Sequence, residues 1–280
     1  MSTCYRNCTP RRVPDSAILL YLVTGIFAGI ASGLLGVGGG LIIVPVLFFI
    51  FNAQGFDAQY VMHLALATSL ATIIITSISS SRAHHKRHAV LWSLVTKLAP
   101  GILIGSWLGG LLATHLHSDV LKPVFGIFEI LVALYMLSKY KPVEHRSEIS
   151  TGRSSLGGVV IGAISAIVGI GGGTLTVPFL LWHGIGMRNA VATSAAVGLP
   201  IALAGTAAYV FNGWDMQFIA NGQVASTFGY VHVTAFLSII VTSYLFAPLG
   251  AKLAHTLPEA RLKQVFAFVL LLIASKLILS

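Results

Sequence analysis

The sequence predicts an all-α integral membrane protein with about eight transmembrane segments in two homologous halves, each with a glycine-broken helix. Three observations support this prediction. The 280 residues are 56% hydrophobic and only 9% charged, whereas soluble domains carry roughly 25% charged residues. Apolar runs that approach or exceed the about 20 residues needed to cross a bilayer recur along the chain. Motifs of the first half also return in the second half, in the same order.

The apolar runs are continuous and longer than the alternating segments of outer-membrane barrels, so they predict helices. The first run is too long to be the short apolar core of a cleavable signal peptide. The runs cover residues 16–51, 63–80, 90–113, 120–137, 156–182, 190–211, 231–249 and 265–279.

The clearest repeat is a cluster of glycines followed by a proline. Residues 32–45 read SGLLGVGGGLIIVP and residues 165–178 read SAIVGIGGGTLTVP, with seven of fourteen positions identical. The triplet Ala-Thr-Ser at 67–69 returns at 192–194. Conserved order across two such motifs indicates an internal duplication.

The duplication divides the chain into four predicted regions. These are a polar N-terminal tail at 1–15, a first repeat half at 16–138, a basic cytoplasmic linker at 139–155 and a second repeat half at 156–280.

The relative orientation of the halves depends on the glycine-broken segments. If each crosses the membrane once, the halves are parallel; if each is a re-entrant hairpin or a double crossing, they are inverted. With the basic loop 82–88 held inside, both arrangements place equal numbers of basic residues inside. The arginines of the tail, next to the first helix, favour the parallel arrangement.

The charge pattern argues against nucleic acid as a partner. The formal net charge is +9, but most basic residues lie at or beyond the ends of apolar runs, as in cytoplasmic loops of membrane proteins. The expected partner is the lipid bilayer. Cys4 and Cys8 have no nearby histidine and do not form a zinc pattern, so no metal site is predicted.

No catalytic or cofactor motif is visible in the chain. The cluster Gly36–Gly40 resembles a nucleotide-binding loop, but it lacks the following Lys-Ser/Thr and no strand precedes it. We therefore predict no cofactor, no catalytic residue and no enzymatic activity.

The glycine breaks are the main candidate for a substrate site. A break frees backbone groups that lipid cannot satisfy, and paired breaks in two halves indicate a transporter's binding site. The half-helix after each break would present its N-terminal N–H groups to an anion. The alternative is tight helix packing, which also favours small residues. The candidates are Gly36, Gly38, Gly39, Gly40, Pro45, Gly169, Gly171, Gly172, Gly173 and Pro178.

Two further groups of polar residues lie inside the apolar runs. The hydroxyls of Thr68, Ser69, Thr193 and Ser194 would donate to an oxyanion, or bond back to their own helices. Glu129 is the acid inside a clear span, where ionisable residues are functional by default. It is a candidate for proton coupling, although a protonated helix contact would explain it equally.

The twin GxGGGxxxxP blocks, the paired Ala-Thr-Ser triplets, Gly229-Tyr230-Val231 and the stretch from Ala247 to Gly250 resemble the sulfite exporter TauE/SafE family of permeases. The resemblance covers nearly all of 16–279. It implies a bacterial inner-membrane protein of about eight spans from a duplicated half, which moves sulfite or related organosulfur anions.

The sequence therefore predicts a secondary transporter for a small anion. A membrane-embedded enzyme or assembly factor would need acids or histidines converging at one face, whereas His63, Lys97, Glu129 and His232 are scattered. An anion channel remains an alternative. Small residues would permit a homo-oligomer, but nothing specifies one.

Overall fold

The computed structural model describes residues 15–137, 151–220, 223–254, 256 and 259–279. The polar tail up to residue 14, including both cysteines, and residues 139–150 of the predicted linker lie outside the described residues. The first half forms α1 (Asp15–Leu35), α2 (Gly40–Ala53), α3 (Ala58–His85), α4 (Trp92–His115) and α5 (Ser118–Leu137). The second half forms α6 (Thr151–Val168), α7 (Gly173–Trp182), α8 (Met187–Asn212), α9 (Val233–Leu253) and α10 (Glu259–Leu279).

The prediction of an all-α membrane protein is confirmed. Among the described residues, α1, α3, α4, α5, α8 and α9 are long and apolar enough to cross a membrane. Shorter apolar helical stretches lie in α2, α6, α7 and α10. The described part of the chain therefore contains ten helices where eight segments were expected, because each glycine break divides one predicted segment into two helices.

The glycines end α1 and α6 by adopting backbone angles that other residues avoid. The φ angles of Gly36, Gly38 and Gly39 are 69°, 77° and 85°, and that of Gly169 is 70°. A side chain at positive φ costs free energy that glycine does not pay, so these positions interrupt the helix at defined points.

The first break reverses the direction of the chain. The side-chain amide of Gln54, just after α2, donates to the hydroxyl of Tyr21 near the start of α1 over 3.1 Å. Gly39 lies beside Ala28, so that an added methyl group would meet the Ala28 carbonyl oxygen at 2.8 Å. Helix α2 therefore runs back towards the level at which α1 begins, and the two helices form a hairpin.

The two halves are inverted with respect to each other. Helices α3 and α8 hold equivalent positions in the repeat and cross in opposite directions. Ser77 lies against Gly198, while Leu70, earlier in α3, lies against Gly205, later in α8. The parallel arrangement favoured by the tail arginines is therefore wrong. Since each break turns the chain back, each half contains five helices of alternating direction, and an odd number inverts the next half.

The bundle has two ends, which we name by their residues. The terminal face is the end at which α1 begins and α10 ends. The basic face is the opposite end, where α3 leads into α4. It carries Arg82, Lys86, Arg87, Arg188 and Lys252, whereas Lys122 and Lys276 lie towards the terminal face.

The halves interlock through two parallel helix pairs. Helix α1 packs along α9 of the other half, and α4 packs along α6. A methyl group at Gly29 would fall 2.6 Å from the Ser243 carbonyl oxygen, and one at Gly162 would fall 2.5 Å from that of Ile102. Such close backbone approach is typical of small-residue contacts between membrane helices. Each half thus packs its first helix on the fourth helix of the other.

Two short hairpins connect α8 to α9 at the terminal face. Strands β1 (Ile219–Ala220) and β2 (Gln223–Val224) pair antiparallel, as do β3 (Thr227–Phe228) and β4 (Val231–His232). An isolated bridge joins Phe56 to Ala220. The corresponding connection between α3 and α4 is a short turn, so this structure is present in one half alone among the described residues.

The inverted arrangement predicts where the two ends of the chain lie. A topology reporter fused before residue 1 and one fused after residue 280 are expected on the same side of the membrane. A reporter inserted in the 139–150 linker is expected on the opposite side. Paired alkaline phosphatase and fluorescent protein fusions measure this directly. Termini on opposite sides would contradict the inverted arrangement.

Candidate substrate site

The two glycine breaks meet at the centre of the bundle. A methyl group at Gly38 would lie 3.2 Å from the Cα of Gly171, and one at Gly173 would lie 2.5 Å from the carbonyl carbon of Gly36. A methyl group at Gly40 would lie 2.7 Å from the carbonyl oxygen of Gly169.

All eight candidate glycines are buried. Gly38 packs on Ile73 and Gly169 packs on Leu66, and both of these residues belong to the middle of α3. The breaks therefore face each other, as a shared site requires, and in this conformation they are in direct contact.

The N-terminal ends of α2 and α7 start from this meeting point. Helix α2 leaves it for the terminal face and α7 for the basic face, as the inverted repeat requires. The first turn of an α-helix has N–H groups without intrahelical partners, and the helix dipole makes that end attractive to anions. Two such ends therefore converge on one region between the halves.

Pro45 and Pro178 lie inside α2 and α7 respectively, five residues after the first residue of each helix. A proline inside a helix cannot donate to the carbonyl four residues earlier. The backbone carbonyl groups of Leu41 and Thr174, in the first turns of these helices, therefore lack an intrahelical hydrogen bond.

The paired threonines each bond to the N-cap residue of a helix in the other half. The hydroxyl oxygen of Thr68 accepts from the backbone N–H of His232 over 2.9 Å, and that of Thr193 accepts from the N–H of Leu91 over 3.1 Å. His232 and Leu91 are the N-cap residues of α9 and α4. The recurrence of these threonines therefore has a structural explanation, since each holds the start of the fourth helix of the other half.

The paired serines lie directly at the breaks. The Ser69 hydroxyl donates to the carbonyl oxygen of Gly169 over 2.8 Å, which joins α3 of one half to the break of the other. The Ser194 hydroxyl donates to Val191 in its own helix over 2.8 Å and packs on Gly36. The structure thus brings both serines to the glycine breaks.

Glu129 is separate from the breaks. It is fully buried on α5, and both carboxylate oxygens lack a hydrogen-bond partner among the described residues. Helix α5 packs on α10, with Gly126 against Ile278. The carboxyl group is therefore enclosed by the bundle. It lies on the α5–α10 pair, which contains neither glycine break.

Sequence reasoning missed a set of buried hydroxyls near the breaks. The side-chain oxygens of Ser32, Ser77, Ser165, Thr174 and Thr176 are buried and have no hydrogen-bond partner among the described residues. Thr174 and Thr176 are inside the repeated motif, but they occupy positions where the two copies differ. Recurrence in both halves therefore could not identify Thr174 and Thr176 as candidates.

Aromatic and histidine side chains close the terminal face. The rings of Phe51 and Phe56 lie 5.1 and 5.7 Å from that of His232, and Tyr230 stacks on His63 at 5.3 Å. Burial raises the pKa of Tyr230 to about 12, with a smaller contribution from Tyr60. Burial also lowers the pKa of His232 from 6.5 to about 4, so this histidine is neutral at pH 7.

Two polar side chains close the basic face. The Arg87 guanidinium donates from Nη1 to the carbonyl oxygen of Ala251 over 2.6 Å, and His84 donates from Nε2 to that of Gly33 over 3.0 Å. Both acceptors lie near the C-terminal ends of their helices, α9 and α1. Cations are favoured at helix C-termini, so these bonds fasten the turn after α3 to the α1–α9 pair.

Comparisons with known proteins agree with this architecture. The family model described as "Sulfite exporter TauE/SafE" matches residues 21–277. A "Probable membrane transporter protein" of Haemophilus influenzae is 35% identical over 263 residues, which cover 94% of this chain and 98% of that protein. A protein of the same description from Methanocaldococcus jannaschii is 28% identical over 90% of this chain and 91% of its own length. A third such protein, from Bacillus subtilis, is 26% identical over 94% of this chain and 97% of its own length.

Mild acid is expected to destabilise the terminal face through His232. Between pH 6.5 and about 4 the unfolded chain binds a proton at this residue that the folded chain does not bind. The stabilisation is therefore complete above pH 6.5 and is lost as pH falls towards 4, by up to about 3 kcal/mol. Free energies of unfolding in detergent at pH 7.5 and 5 measure the loss.

The variant His232→Asn isolates this effect, because asparagine keeps an N-cap acceptor for Ala235 and does not titrate. It is expected to show a smaller pH dependence than the unchanged protein. His88→Asn, at an exposed turn with positive φ, serves as the matched control. Equal pH dependence in the unchanged protein and in His232→Asn would refute the prediction.

Proposed function

The chain belongs to the sulfite exporter TauE/SafE family, and from this membership we propose that it is a secondary transporter for sulfite or an organosulfonate. The family and the relatives establish a multi-pass membrane transporter rather than an enzyme. The substrate, the bacterial inner membrane as its location and the residues that bind the substrate are our proposals.

The observation that carries the proposal is the meeting of the two glycine breaks between inverted halves. Gly36–Gly40 and Gly169–Gly173 belong to hairpins of opposite direction, and each begins a half-helix at the same central point. Half-helix N-termini directed at the middle of a bundle are how inverted-repeat transporters hold the anionic groups of substrates. The candidate glycines, together with Ser69 and Ser194, lie in this region.

The chemistry of the region suits a small oxyanion. Backbone N–H groups and hydroxyls supply donors, and a sulfite or sulfonate group presents several acceptor oxygens. Neutral donors at a helix N-terminus stabilise an anion without a buried arginine. The family description names sulfite, which is an anion of this kind.

In this conformation the breaks are in contact, so transport requires them to separate. The aromatic and histidine side chains close the terminal face, and the Arg87 and His84 bonds close the basic face. Opening one face at a time would expose the breaks alternately, which is alternating access around a central site. Within these 280 residues no phosphate-binding loop is present, so an ion gradient or the substrate gradient supplies the driving force.

We place the basic face in the cytoplasm. Arg82, Lys86 and Arg87 at the turn after α3 are joined there by Arg188 and Lys252. Positive charge accumulates in cytoplasmic loops of helical membrane proteins. Both chain termini would then lie on the periplasmic side of the inner membrane.

Flux measurements on purified protein in liposomes test the proposal. We expect saturable uptake of radiolabelled sulfite, with competition by sulfoacetate and other organosulfonates but not by glucose or alanine. A carrier saturates and depends on a counter-ion or on exchange, whereas a channel passes current that rises with concentration. Absence of selectivity for oxyanions would overturn the substrate assignment, and non-saturating current would favour a channel.

Glu129 gives the proposal a coupling group. An enclosed carboxyl group without a hydrogen-bond partner is stable when protonated, because burying the charged form costs several kcal/mol. It would bind and release a proton as its helix moves between dry and wet surroundings. We expect Glu129→Gln to reduce proton-driven uptake about tenfold or more while substrate exchange continues. Asp119→Asn, an exposed acid on the same helix, is the control. Unchanged proton dependence in Glu129→Gln would remove this role.

A further inference from the structure

The repeat symmetry fails at a small set of positions around the breaks. In the motif, Thr174 and Thr176 of α7 correspond to Leu41 and Ile43 of α2. On the central helices, the Ala-Thr-Ser alignment matches Ile73 of α3 to Gly198 of α8. It also matches Ser77 of α3 to Ala202. At these positions the hydroxyls lie towards the second break and the apolar side chains towards the first, while Ser194 contacts Gly36 and Val197 contacts Gly172.

The hydroxyls at the second break are buried and unpartnered. Thr176 and Ser77 are 0% and 1% exposed, and Thr174 is 9% exposed. Their oxygens have no hydrogen-bond partner among the described residues. A buried hydroxyl without a partner costs free energy, and serines and threonines in helices normally avoid this by bonding to a carbonyl of the preceding turn. These side chains leave that bond unmade.

Two of these hydroxyls flank the start of α7 from different helices. Thr176 Oγ1 lies 3.2 Å from the position that a Cβ of Gly172 would occupy. From α3, Ser77 Oγ lies 2.6 Å from the corresponding position at Gly198, and the backbone nitrogen of Gly172 lies 3.7 Å from that same position. Thr176 Oγ1 therefore lies beside Gly172, the N-cap residue of α7, and Ser77 Oγ approaches the same region across Gly198. The first-turn N–H groups of α7 also point there.

The equivalent space at α2 is filled. The Ile73 side chain would meet a methyl group at Gly38 at 2.9 Å and one at Gly40 at 3.2 Å. Ile73 thus covers the start of α2 with an apolar side chain, whereas Gly198 at the equivalent position has no side chain. Val197 Cγ1 lies 3.1 Å from the position that a Cβ of Gly172 would occupy, so the start of α7 is covered in part. The two breaks differ in backbone as well as in surroundings, since Gly38 and Gly39 have positive φ angles and the φ angle of Gly172 is −63°.

We propose that the anion binds at one break only, at the N-terminal end of α7, and that Ser77 and Thr176 donate hydrogen bonds to its oxygens. Thr174 completes the polar wall. This inference rests on the proposed function and assigns its binding residues. The ligand class is a small oxyanion, because the site offers hydroxyl and N–H donors at the positive end of a helix dipole, which disfavours a cation. The break at α2 supports the site through its contact with Gly171 and Gly173.

The test compares binding of sulfite and sulfoacetate to purified, detergent-solubilised protein by titration calorimetry. Thr176→Val and Ser77→Ala each remove one hydroxyl with little change in volume. We expect each variant to bind the anion about tenfold or more weakly, the loss typical of a hydrogen bond to a charged group. Thr176→Ser keeps the hydroxyl and is expected to bind within about threefold of the unchanged protein.

Two matched controls carry buried, unpartnered hydroxyl oxygens elsewhere. Ser106 on α4 lies against Gly162, and Thr206 lies on α8 about two turns beyond Gly198. Ser106→Ala and Thr206→Val are expected to bind within about twofold of the unchanged protein. Thermal unfolding of each variant identifies any that fail to fold. Ser77→Ala removes one oxygen atom and adds none, so it is expected to fold. If Thr176→Val does not fold, binding by Ser77→Ala still tests the assignment.

The outcomes separate this inference from the proposed function. If the unchanged protein binds neither anion, the proposed function fails and the assignment fails with it. If it binds, but Thr176→Val and Ser77→Ala bind equally well, or the two controls lose as much affinity, the assignment alone is overturned. A change in sodium dependence with unchanged anion affinity would show that these hydroxyls bind a cation, which also overturns it.

Discussion

The structure depends on the requirement that backbone polar groups in a bilayer have partners. A helix broken by Gly36–Gly40 or Gly169–Gly173 exposes N–H and C=O groups that hydrocarbon cannot satisfy. The chain meets this requirement by enclosing each break with the other, between α3 and α8. Glycine is necessary here because the backbones approach so closely that a methyl group at Gly173 would lie 2.5 Å from the Gly36 carbonyl carbon. Neither half has a way to bury its break alone.

That requirement also explains how the halves are held together. Helix α1 packs on α9 and α4 on α6, in each case through glycines such as Gly29 and Gly162 whose neighbours are backbone carbonyls. A movement that separated the two halves as whole bodies would break both pairs. The α1–α9 and α4–α6 pairs are therefore better candidates for rigid units, each composed of one helix from each half. Motion between these units would change the contact between the breaks without unpacking either pair.

The sequence alone was sufficient for the helical class, the duplication and the two breaks, because long apolar runs and an exact glycine spacing are local features. It was insufficient for the direction of the halves, since both arrangements distribute the basic residues equally. The hydrogen bond between Gln54 and Tyr21 and the antiparallel crossing of α3 and α8 decide this, and both are long-range contacts. Thr68 and Thr193 show a further limit. Their recurrence suggested ligands, yet in the structure each accepts an N–H at the start of the fourth helix of the other half.

These threonines indicate that, in a duplicated protein, residues shared by both halves can serve the scaffold rather than the ligand. A residue that recurs in both halves, such as Thr68 with Thr193 or Gly36 with Gly169, is kept where the inverted scaffold needs the same contact or backbone angle twice. A small ligand at a central point has no need of two identical sites, and two would compete for the same space between touching breaks. Differences between the copies are therefore the informative positions once the scaffold is known. At this centre the differences are Thr176 against Ile43 and Gly198 against Ile73, and they place the polar surface on one side of the pseudo-symmetric contact.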